Sequence, residues 1–83
     1  MVRLKNIKLD NNLIEADYFP ECEKIKFGHV SLDLNTKERK YTLVGDYGEG
    51  YPHFAFRGLE KIIDKLNNHE INELPKERTV MWY

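Results

Sequence analysis

One cysteine, three prolines and no long apolar run are what this chain of 83 residues has little of, and each scarcity excludes something. Cys22 has no second thiol to pair with, so no intramolecular disulfide can hold the fold, and a lone thiol fits a reducing compartment. The segment Met1 to Asp10 lacks the apolar run of a signal peptide, and no stretch approaches the ~20 apolar residues of a membrane span. The expected location is the cytoplasm, with no membrane partner. Neither sign of charge dominates: 13 Lys and Arg stand against 14 Asp and Glu, a formal net charge of -1. No global field would draw in nucleic acid or an acidic membrane.

Motifs of catalysis are missing as well. Gly45, Gly48 and Gly50 match neither the dinucleotide fingerprint nor the P-loop, and no Lys-Ser or Lys-Thr follows them. His29, His53, His69 and Cys22 do not stand at metal-ligand spacings. His53, with Asp46 and Glu49, comes nearest to an acid–base set, but no nucleophile with a supporting motif accompanies it. No catalytic residue, metal site or cofactor is therefore expected.

What the chain does contain is an apparent repeat. Val2, Arg3, Leu4, Ile7, Leu9, Asp10, Asn12, Glu15 and Tyr18 align with Ile25, Lys26, Phe27, Val30, Leu32, Asp33, Asn35, Glu38 and Tyr41, residue for residue. Each copy alternates apolar and polar positions, and the alternation is broken once by an extra residue, which is how a bulged β-strand reads. Two equivalent hairpins are expected, with bulges near Lys5-Asn6 and Gly28-His29. The first would run over residues 2–9 and 13–19 with a turn at Asp10-Asn11-Asn12, and Pro20 would end it. The second would rise over residues 25–34, turn through Asn35 to Glu38 and return over residues 40–45.

Pro52 suits a first helical turn. From there Ala55, Phe56, Leu59, Ile62, Ile63 and Leu66 fall within one ~120° arc at 100° per residue, one buried face of a helix over residues 52–67 that stops at Asn67-Asn68. Thr79 to Tyr83 read as a fifth strand, with Trp82 packed in or beside the sheet. The expected fold is α+β, ββββαβ in order: one domain over residues 1–83, an antiparallel sheet of about five strands, two repeated bulged hairpins, and a single helix covering one face. Leu13, Phe19, Thr42 and Val44 exceed what one helix can cover, and that surplus points to self-association or a partner.

Two surfaces compete for a function. Phe54 lies ~130° from the centre of the buried helical face, so it sits either under the glycine loop or in a surface patch with Tyr47, Tyr51 and Arg57. Tyr and Arg carry interface hot spots, and the patch would bind a protein. The alternative is nucleic-acid binding through the basic strand residues and Tyr41. Phe27-Gly28-His29-Val30-Ser31-Leu32 partly resembles the longer RNA-recognition signature, but His29 and Leu32 occupy the places of its stacking aromatics and no helix precedes the strand. A small, non-catalytic protein-interaction or regulatory module is the favoured reading.

Overall fold

The computed structural model describes residues 1–81, and the expectation for Trp82 lies outside the described residues. Five strands and one helix follow in the order β1 Val2–Asp10, β2 Leu13–Pro20, β3 Gly28–Asp33, β4 Arg39–Tyr41, α1 Gly50–Asn67 and β5 Glu77–Val80. All neighbouring strands are antiparallel, in the order β4-β3-β2-β1-β5, so the last strand returns to lie beside the first. This is the α+β architecture expected from the residue pattern, with α1 against one face of the sheet.

Alternation explains which side chains meet the helix. Val2 and Leu4 of β1, Ile14, Ala16 and Tyr18 of β2, and Val30 and Leu32 of β3 are buried with Ala55, Phe56, Leu59 and Ile62 of α1. The first bulge is present. Lys5 pairs with Asp17 and Lys8 with Glu15, which leaves Asn6 and Ile7 opposite Ala16 alone. Asn6 takes a left-handed backbone (φ 55°) and its Nδ2 donates to Asp17 Oδ2 at 2.9 Å. The extra residue returns Ile7 to the core side.

The second copy does not repeat the first. β2 and β3 pair without a register shift from Leu13–Asp33 to Tyr18–Gly28, so there is no bulge at Gly28-His29. Ile25 and Phe27, the counterparts of buried Val2 and Leu4, are 85% and 54% exposed. Pro20 is the physical reason: it has no N–H to extend the ladder, and its carbonyl instead accepts Glu23 N–H in a turn. Phe27 leaves the strand path and packs on Phe19 at 5.2 Å between ring centroids.

Half of the supposed surplus is covered. Val44 joins the core, and Phe19, though on the face away from the helix, is only 8% exposed beneath Phe27, Arg3 and Lys5. Thr42 Oγ1 accepts His29 N–H. Leu13 and Thr42 remain exposed.

Two glycines mark close approaches. Gly28 lies under the ring of Tyr18, whose hydroxyl donates to Thr42 O at 2.5 Å; burial first, then Tyr41, raises its phenol above the usual range. Gly58 faces Val80 and Leu4, letting α1 approach the β1–β5 edge of the sheet. At its C-terminal end α1 is closed by His69, left-handed at φ 59°, whose N–H donates to Leu66 O while Glu70 N–H reaches Lys65 O.

Candidate interaction surface

Successive residues of a helix point ~100° apart, and this divides the aromatic cluster at the start of α1 in two. His53 turns toward β4, its ring 5.9 Å from that of Tyr41, and among the described residues no ion pair joins it to Asp46 or Glu49. Tyr47, Tyr51, Phe54 and Arg57 form a continuous row on the other flank. Tyr47 meets Tyr51 edge to face at 5.5 Å, Tyr51 and Phe54 line one shallow hollow with Glu21 and Gly50, and the Arg57 guanidinium lies 5.4 Å from the Phe54 ring centre. Phe54 is half-buried and packs against the rim of the core. It is neither a core residue nor a fully exposed one.

Tyr51 is held in place by an element distant in sequence. Its hydroxyl donates to Glu21 Oε1 at 2.7 Å, and the N-terminal ammonium lies 3.4 Å from the same carboxylate. Glu21 can reach both because its left-handed backbone (φ 50°) turns the chain just after β2. The Tyr51 hydrogen bond, with the N-terminal charge and against partial desolvation, holds the Glu21 carboxyl below its usual range. The same hydrogen bond, then burial, pushes the Tyr51 phenol up to about 12.

The signs fix a pH dependence. Glu21 contributes stability that is present above the ordinary glutamate range and lost as pH falls through its lowered folded value. Tyr51 contributes stability that is complete below about 10, the ordinary tyrosine value, and lost as pH rises from there toward about 12. Tyr51→Phe should flatten the stability curve at both ends, read from denaturation midpoints across pH. Unchanged acid and alkaline limbs would mean the bond does not form in solution.

The open face of the sheet, where nucleic acid would have to lie, has a different character. Lys5 sits opposite Asp17 and Glu77, Lys8 opposite Glu15, and His29 between Asp17 (3.1 Å) and Glu15 (3.7 Å). Lys40 is 4.0 Å from Glu38. Cations and carboxylates alternate across the strands, so no basic stripe runs over this face. Tyr41 is on the other face, edge-on to Phe56, and Arg39 lies beside it over the Phe56 ring and paired with Glu60. Among the described residues no three His, Cys, Asp or Glu side chains gather to hold a metal ion, and no helix is long and apolar enough to cross a membrane.

Sequence reasoning missed a second feature of the Arg57 flank. A groove of about 270 Å³ runs between α1 and β5, lined by Phe54, Arg57 and Lys61 from the helix and by Arg78, Val80 and Met81 from the strand side. Only the pairing of β5 with β1 brings Arg78 there, and a contact between chain ends cannot be read from local pattern. The comparisons with known proteins found no matching family model, curated protein or solved structure.

Proposed function

We propose that the domain is a non-catalytic protein-interaction module whose contact surface is the row Tyr47, Tyr51, Phe54 and Arg57. The observation that supports this reading is the continuity of that row. Its rings are half-buried and fixed by neighbours, Tyr51 through Glu21 and Phe54 through the core rim and Arg57. Aromatic anchors already held in one geometry lose little conformational freedom when a partner covers them. The interleaved charges of the open sheet face offer nucleic acid no comparable surface.

The test is affinity capture of the tagged protein from extracts of its own cells, followed by titration of the captured protein with variants. Tyr47→Ala and Arg57→Ala should each weaken the complex about tenfold, as expected for residues near the centre of an interface, with a small change in melting temperature. Phe54→Ala is a poorer probe because its ring also supports the core rim. Undiminished binding by both variants would place the contact elsewhere and end this reading.

A further inference from the structure

We propose that the groove between α1 and β5 takes an extended, acidic segment of a partner protein, added as a sixth strand along the outer edge of β5. The inference rests on the interaction reading and supplies the chemistry of the partner.

Charge distribution comes first. Glu60 is paired with Arg39, and Asp64 lies on that same β4 flank of α1. Arg57 and Lys61, one helical turn apart, line the β5 groove, where Arg78 joins them. Among the described residues no carboxylate lines this groove, and these three cations make no ion pair. Glu77 points to the opposite face of the sheet, toward Lys5. In a chain of net charge -1, three cations thus stand together with no carboxylate paired to them among the described residues. The Arg78 Nε is moreover buried without an acceptor among the described residues, so its guanidinium is not already engaged there by a carboxylate or carbonyl of the fold.

Backbone geometry then selects an extended ligand. β5 lies at the edge of the sheet and pairs only with β1, and its outer side has no backbone partner among the described residues. The other edge, β4, is only three residues long and its Arg39 is engaged by Glu60 and Phe56. Along β5, Arg78 and Val80 face the helix, opposite Leu4 and Val2, and Glu77 and Thr79 face away. A strand laid beside them presents every second residue to the groove. The fitting pattern is an acidic residue and an apolar one two positions apart, the acid toward Arg78 and Lys61 and the apolar side chain toward Val80 and Met81.

The probe is a blocked peptide, Thr-Glu-Thr-Val-Thr-Glu-Thr, titrated into isotopically labelled protein and followed by amide chemical shifts. A control of identical composition places its two Glu together and abolishes the alternation. Shifts are expected at Glu77 to Val80 and at Arg57 to Lys61, with the control at least fivefold weaker and a loss of about tenfold between roughly 50 and 500 mM salt. Lys61→Gln, an exposed position, should weaken binding about threefold, and Lys61→Gln with Arg78→Gln about tenfold. Equal binding of both peptides would reduce the effect to simple charge attraction and overturn strand addition. Absence of shifts, or shifts confined to the open sheet face, would overturn it as well. Because partner capture through Tyr47 and Arg57 is measured separately, its survival would show that strand addition alone had failed, and its loss that the interaction reading had.

Discussion

Leu59→Ala should cost about 3 to 4 kcal/mol of folding stability, whereas Ile63→Ala, one turn further along the same helix, should cost only about 1 to 2 kcal/mol. Leu59 has 0% exposure and lies in the continuous core formed by the sheet and α1. Ile63 is half-buried and lines the groove on the β4 flank, where solvent can occupy the space its side chain leaves. The pattern of apolar residues alone gives these two positions equal rank, since both fall in the same arc. The sheet decides between them: Leu59 packs into the core shared with β1, β2 and β3, whereas Ile63 faces the flank where the sheet ends in the three-residue strand β4. A domain of this size is stable by only about 5 kcal/mol, so the Leu59 variant should unfold at much lower urea concentration, with the transition slope unchanged. Equal losses at the two positions, or less than about 1 kcal/mol at Leu59, would contradict the packing described.

The contrast between these residues shows how far the amino-acid pattern reaches. Helix α1, the hairpin of β1 and β2, the bulge at Asn6 and the α+β class are legible because each is written in local alternation, a 3.6-residue stripe or a turn residue. The second half of the apparent repeat misleads because similar residues are given different partners. Val2 and Leu4 lie between β2 and β5, and their counterparts Ile25 and Phe27 follow a proline that cannot continue the ladder. Sequence similarity between two strands says nothing about which edges are available to them.

The candidate surface divides along the same line. Tyr47, Tyr51, Phe54 and Arg57 are near neighbours in sequence, and their juxtaposition follows from a loop leading into a helix. Arg78 joins the flank only through long-range antiparallel pairing, and Glu21 reaches Tyr51 from the far end of β2. Gly58 illustrates the same dependence. Its place on the buried side of α1 suggests nothing more than a weak helix former, yet a Cβ there would lie 2.5 Å from Val80 Cγ2 and 3.0 Å from Leu4 Cδ1. The absence of a side chain at this position therefore sets how closely the helix approaches the strands that form one wall of the groove.

Gly28→Ala is expected to be as damaging as the loss of a core leucine, although it adds a single methyl group. The new Cβ would stand 2.7 Å from Tyr18 Cζ and 2.9 Å from Thr42 O, both far inside van der Waals contact. Neither neighbour can yield easily. The Tyr18 ring is fully buried among core residues and its hydroxyl is bonded to Thr42 O, so displacing the ring breaks a hydrogen bond and displacing the carbonyl disturbs the β3–β4 connection. Overpacking against such rigid surroundings costs about 2 to 3 kcal/mol, at the upper end of its usual range. At roughly 4 to 8 °C per kcal/mol for a domain of this size, the melting temperature should fall by at least about 8 °C. Gly48→Ala is the matched control, because a Cβ at Gly48 meets nothing within 4 Å and its backbone is not left-handed. It should change stability by less than about 0.5 kcal/mol. Thermal denaturation of the two variants side by side decides the matter: if Gly28→Ala proves as mild as Gly48→Ala, Tyr18 does not lie across β3, and the bond that ties β2 to the chain after β4 is not part of the fold.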